Sequence, residues 1–179
     1  MRVELRMAQI NCTQKLWRSL RQRGKPASGG AAPVLNSASL GSWAAGLYRI
    51  YGRDLVIAVN ERTGLTVVFP LATPEAFRSS FAAALAHALE DLGVSAAIAK
   101  AESVAVEFEP LTRLSSRSIA DMLSHVEYIC GIELNYHEDL RKVQRNLNDL
   151  PRPDQDPCVP VEAVRLLFEG VQEPKASLH

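Results

Sequence analysis

The side chains with the most suggestive chemistry lie in one short segment, Thr112-Arg113-Leu114-Ser115-Ser116-Arg117-Ser118, just ahead of an apolar repeat that reads as a helix. Hydroxyls, two guanidinium groups and free backbone N–H groups at a helix N-terminus can hold a phosphate or a carboxylate, because donors and dipole both favour negative charge. Arg113, Ser115, Ser116, Arg117 and Ser118 are therefore candidate anion-binding residues. Serine ahead of a helix is commonplace, and capping beside two surface arginines would account for the same residues.

A second cationic set recurs opposite the apolar residues Leu16, Trp17 and Leu20. Lys15, Arg18, Arg21 and Lys25 are candidate contacts to nucleic-acid phosphates. Trp17 shares the apolar side, so core packing is its expected role rather than stacking on a base. No recognised nucleic-acid motif accompanies these cations, and a solvated basic face is the plainer alternative.

Cys12 precedes the start of that basic helix and lies three residues from Lys15. Both features lower a thiol pKa, so Cys12 and the Arg113–Ser118 connector carry the case for a small enzyme. A catalytic cysteine also needs a base, and nothing in the sequence places a histidine beside it. A buried structural cysteine is the simpler expectation. His87 with Glu90, and the cluster His137-Glu138-Asp139, lack the paired spacing of a zinc site. Gly29-Gly30 lacks the lysine and helix start of a phosphate-binding loop, and no Gly-x-Ser-x-Gly elbow occurs. No metal, cofactor or catalytic constellation is identified.

The elements that must position these groups follow from periodicity. Alternation through Ala8, Ile10 and Cys12 predicts a strand, and Thr13 caps a short basic helix that ends near Gly24. Residues 25–41, rich in Gly, Ala, Ser and Pro, read as a flexible loop. Trp43 to Pro70 reads as a three-stranded meander with turns at Gly52-Arg53 and Asn60–Gly64. Thr73-Pro74-Glu75 opens a helix with Phe77, Phe81, Leu85, Leu89 and Leu92 on one face and Gly93 beyond its end. Alternation of Val104, Val106 and Phe108 predicts a strand over 103–109, followed by a polar connector over 111–116. Ser118 and Asp121 resemble a capping box for a helix carrying Ile119, Met122, Leu123, Val126 and Ile129. A last domain helix is expected from just after Gly131 to Leu150, with Leu140, Val143, Leu147 and Leu150 inward and Pro151 as its stop. Residues 1–150 thus read as a single domain, and 151–179 as a proline-rich linker with a short amphipathic tail helix over 162–169. The tail helix could dock on the domain, on a partner or on a second copy.

Length and composition bound the function class. A chain of 179 residues with 47% hydrophobic and 22% charged residues can bury a full core without disulfides or metals. The net charge is zero but unevenly spread: residues 1–53 hold nine basic residues and one acid, leaving eleven basic and nineteen acidic in the remainder. Such asymmetry marks either an anion-facing half or two halves that attract one another. Three widely spaced cysteines argue against a disulfide framework and for a reducing, cytoplasmic setting. Charges at Arg2, Glu4 and Arg6 are wrong for a signal peptide, no apolar run is long enough to span a bilayer, and Met1 and Met7 are both candidate starts.

Several pieces in order resemble an uncharacterised prokaryotic family of small α+β proteins. These are a Cys-Thr-x-Lys-Leu segment (Cys12-Thr13-Gln14-Lys15-Leu16), a Trp-containing strand at Leu40-Gly41-Ser42-Trp43 and an Asn-Glu-x-Thr turn at Asn60-Glu61-Arg62-Thr63. An Arg-Ser helix start at Arg117-Ser118 and a closing Asn-x-x-Pro at Asn148–Pro151 follow. The resemblance covers about residues 8 to 152. It implies a fold and a prokaryotic origin, but no activity and no catalytic residues. Abundant alanine and fifteen arginines against five lysines suit a GC-rich bacterial genome.

The expected fold is α+β: a four- to five-stranded, mostly antiparallel sheet with helices packed mainly on one face and the other face partly solvated. The expected function is a binding or regulatory module for an anionic ligand, nucleic acid or protein partner, with a small enzyme as the alternative.

Overall fold

The computed structural model describes residues 8–21, 40–153 and 155–169. Strand β1 (Ile10–Cys12) leads into helix α1 (Gln14–Arg21), and strands β2 (Trp43–Ile50), β3 (Arg53–Asn60) and β4 (Thr66–Pro70) follow. A 3-10 turn at Pro74–Ala76 precedes α2 (Phe77–Asp91) and α3 (Ala96–Phe108). Strand β5 (Leu111–Arg113) and helices α4 (Arg117–Tyr136), α5 (Leu140–Asp149) and α6 (Pro160–Glu169) complete the elements among the described residues. One sheet runs β4-β3-β2-β1-β5, antiparallel through the long strands β4, β3 and β2 and parallel where short β1 meets β2 and β5. The class is α+β with a mostly antiparallel five-stranded sheet. The loop expected over 25–41 lies outside the described residues, apart from Leu40 and Gly41, and so does Lys25.

The meander forms as its turn residues dictate. Ile50 pairs with Arg53 around a two-residue turn in which Tyr51 and Gly52 have φ of +48° and +77°. Two left-handed residues are what a type I′ hairpin requires. At the next turn the Asn60 amide holds five groups. Its Nδ2 donates to the carbonyls of Leu40 and Ser42, and its Oδ1 accepts from Arg62 N, Thr63 N and Thr63 Oγ1. Asn60 is fully buried, so these bonds replace the water it gave up.

Two cores flank the sheet. On the first face Trp43 meets Phe81 edge-on at 5.1 Å and Phe69 stacks on Phe81 at 5.6 Å. Leu16 of α1, Leu85 and Leu89 of α2, Ala99 and Val106 of α3, and Val164 and Phe168 of α6 join them. Four of the six α-helices among the described residues therefore contribute to one face, and the tail helix docks back on its own domain. The second face, expected to be partly solvated, is covered over its long strands. Leu123, Val126 and Cys130 of α4, with Val143 and Leu147 of α5, pack there on Leu55, Ile57, Val59 and Val68.

Helix α5 also closes the sheet edge. Asn148 accepts from Thr66 N at 2.7 Å and donates to Thr66 O at 2.9 Å, while Gln144 accepts from Val68 N at 2.9 Å. One turn apart on α5, the two amides satisfy the outward backbone of β4 that would otherwise invite pairing with another chain.

Four local expectations need correction. Residues 103–109 are not a strand: α3 continues to Phe108, with Ala99, Glu102, Ser103 and Val106 buried on a helical face. The alternation of Val104, Val106 and Phe108 was a short coincidence within an alanine-rich helix, and Phe108 is left exposed. The fifth strand is β5, in the segment expected to be a polar connector. Finally, α4 runs through Gly131 to Tyr136, and the break comes at Asp139, whose side chain accepts from Arg141 N at 2.9 Å and caps α5. The cap of α4 is Ser116, whose Oγ accepts from Ile119 N, rather than Ser118.

Candidate anion-binding site

The parallel strands β1 and β5 end side by side, Cys12 opposite Arg113, and Leu114 N donates to Cys12 O at 2.8 Å. From there the chain takes opposite directions: α1 packs Leu16 into the first core, whereas α4 packs Leu123 into the second. A crevice outside the carboxyl ends of adjacent parallel strands, with their helices on opposite faces, is the usual ligand position in open parallel sheets.

Both cationic sets foreseen from the sequence contribute here. The Arg21 guanidinium lies 4.8 Å from the centre of the Trp17 ring, and that of Arg113 lies 5.8 Å from it. One helix and one strand thus bring two guanidinium groups to a single half-buried indole, where the ring quadrupole favours cations at about 0.5–1 kcal/mol each. Ser116 Oγ stands 3.0 Å from Ser118 Oγ at the start of α4. Lys15, Arg18, Arg113, Ser115, Arg117 and Ser118 are exposed. Among the described residues, none of Lys15, Arg18, Arg21, Arg113 and Arg117 forms an ion pair. The sequence pattern put Trp17 on the apolar side; it is half-buried, and its indole N–H is enclosed without a hydrogen-bond partner.

Cys12 does not share the character of that crevice. It is fully buried, its Sγ faces Ile10 O at 3.7 Å, and burial pushes its thiol up to about 12, against the pull of the Arg78 guanidinium. The thiolate needed for attack is strongly disfavoured there.

Near Cys12 lies a polar group that the sequence did not announce. Arg78 Nη1 donates to the carbonyls of Val106, Glu107 and Glu109 and so closes the C-terminus of α3. Glu109 is buried with no partner for either carboxylate oxygen. Burial, then the Glu102 carboxylate, raises its carboxyl to about 8, while Arg78 opposes the rise. On the opposite face Asn11 accepts from Thr112 Oγ1 at 2.6 Å and donates to Glu61 Oε1 at 2.6 Å. A strand asparagine between buried Ile10 and Cys12 was the one sequence signal for that network.

His87 lies 3.7 Å from Glu90, and His137 lies 3.9 Å from Glu133. Among the described residues no group of three or more His, Cys, Asp or Glu side chains could hold a metal ion, and no helix is long and apolar enough to cross a membrane.

No curated protein matches the sequence. A family model of a domain of unknown function, DUF6933, matches residues 9–163, from the residue before β1 into α6. The match spans the whole sheet and the Arg21–Trp17–Arg113 cluster at its parallel edge, and the chain belongs to this family of uncharacterised domains.

Proposed function

We propose that the domain is a binding module for a phosphate-bearing anion, held where β1 and β5 end. The observation that carries this reading is the convergence of Arg21 and Arg113 on Trp17, with no carboxylate paired to either. Cations kept together without a counter-charge repel one another, and an anionic ligand relieves that repulsion. Ser116, Ser118 and Arg117 at the N-terminus of α4 supply further donors. Ser115 lies in the same turn, and Lys15 and Arg18 extend the cationic surface along α1. Cys12, Cys130 and Cys158 are free thiols, which fits a cytoplasmic setting.

The test is a titration with inorganic pyrophosphate and with a mixed-sequence oligonucleotide, followed by the fluorescence of half-buried Trp17. Both ligands are expected to bind, and R21A combined with R113A is expected to weaken binding at least tenfold with the fold intact. Equal binding by that double variant would place the ligand elsewhere.

A further inference from the structure

Of the six large apolar or aromatic side chains left exposed among the described residues, four share one surface. Tyr128, Ile132 and Tyr136 follow one another at four-residue spacing along α4, so they form one stripe. Tyr51 stands beside them at the tip of the β2–β3 hairpin, its hydroxyl donating to Gly131 O at 3.2 Å. Tyr51, Tyr128 and Tyr136 are 62%, 69% and 78% exposed. An open groove of about 660 Å³ runs between hairpin and helix, with Glu127, Tyr128, Gly131 and Ile132 on one side and Arg49 and Tyr51 on the other.

Two details suggest that this surface is built for contact. Tyr51 is the only non-glycine residue with a positive φ among the described residues, at a turn position better suited to Asn, Asp or Gly. Placing a tyrosine there costs roughly 1 kcal/mol. Tyrosine is also the residue type enriched at the buried centres of interfaces.

The charges along α4 identify the occupant. Its outward stripe starts at Arg117, continues through Asp121, Ser124, His125, Tyr128, Ile132 and Asn135, and meets Glu138 and Asp139 just beyond its end. A stripe that begins on Arg117, ends on Glu138 and Asp139 and carries Tyr128 and Ile132 near its middle is complementary to itself at its ends when reversed. We propose that the α4 stripe is the interface of a two-fold dimer in which two copies of this chain pack α4 against α4, antiparallel, about an axis at Tyr128.

In that arrangement Tyr128 meets its own copy, Ile132 lies over Ser124, and Asn135 faces Asp121. Arg117 of each chain faces Glu138 and Asp139 of the other. Antiparallel helix dipoles favour the same orientation. A helix of 20 residues gives a contact about 30 Å long. The interface is isologous, as in most soluble dimers. Arg21 and Arg113 lie outside the stripe, so Y128E tests the dimer without touching them, whereas Arg117 belongs to both surfaces.

Sedimentation equilibrium of the full chain tests this. The wild type is expected to show twice the chain mass at tens of micromolar. Y128E is expected to sediment as a single chain with an unchanged circular dichroism spectrum. R117D is expected to weaken association at least tenfold, and R117D with E138R to recover it to within a few-fold, since E138R leaves the Asp139 cap of α5 in place. A wild type of single-chain mass at every concentration would overturn the proposal and leave the stripe to a different protein. A dimer indifferent to Y128E, or to R117D, would overturn it as well.

Discussion

Glu109 shows what one buried carboxyl does to the stability of this domain. Its pKa of about 8 in the fold lies above the ordinary value of 4.5, so the folded state holds a proton that the unfolded chain releases. A folded state that binds the extra proton loses stability as pH rises, here progressively from about 4.5 until it levels off above about 8. E109Q keeps the shape and removes the charge. It is expected to stabilise the protein on the alkaline side by a few kcal/mol, on the order given by a displacement of this size, and to change little in acid. Urea unfolding of both proteins across that pH range checks the sign; a wild type that gains stability towards alkaline pH would contradict it. Asn60 makes the opposite case, a buried polar group with every bond made. N60A is expected to cost about 3 kcal/mol or more, measured by the same unfolding, because five partners lose their bonds at once. Asn60 was legible as a turn residue, since Asn-Glu-x-Thr-Gly punctuates two apolar runs. Glu109 was not: a lone glutamate before a proline reads as surface, and only the packing of α3 against α2, with Arg78 across its C-terminus, encloses it.

At the scale of elements, periodicity succeeded where it was long and failed where it was short. The elements of the meander and α2 carry five to fifteen residues of consistent pattern and form as expected. Three alternating residues near Val106 could not outweigh the alanine-rich helix around them, and β5, only three residues long, has too few positions to show a period. Pairing with β1 makes Leu111–Arg113 a strand, and that is a long-range fact no local window contains. The closing Asn-x-x-Pro was visible as a pattern, but its purpose was not. Asn148 reaches back to Thr66, 82 residues away in the chain, to seal the edge of β4. N148A is expected to cost about 2–4 kcal/mol, since it strands a buried N–H and C=O together. It should also speed hydrogen exchange at Thr66 above that at the central strand β2. Unchanged protection at Thr66 would mean that the edge is held by something other than α5.

For the whole molecule, the sheet sorts its roles by position. Long antiparallel strands between two helical layers supply the core, and the short parallel pair at one edge brings Arg113 to Trp17. Both cationic groups were readable as charge patterns, but their meeting at Trp17 was not, because Arg21 and Arg113 are 92 positions apart and only the β1–β5 pairing brings them together. The uneven charge of the chain gains a physical reading here. Of the nine basic residues before position 54, Lys15, Arg18 and Arg21 lie on α1, and Arg113 joins Arg21 at Trp17 from the acidic remainder. The most direct test is the binding of mixed-sequence DNA and RNA by the wild-type protein over a series of salt concentrations. Phosphate neutralised at the Arg21–Arg113 crevice predicts an affinity that falls steeply as salt rises, with the slope counting the phosphates engaged. Absence of binding to either nucleic acid and to pyrophosphate, even at the lowest salt, would contradict the account and leave the charge asymmetry as attraction within the fold.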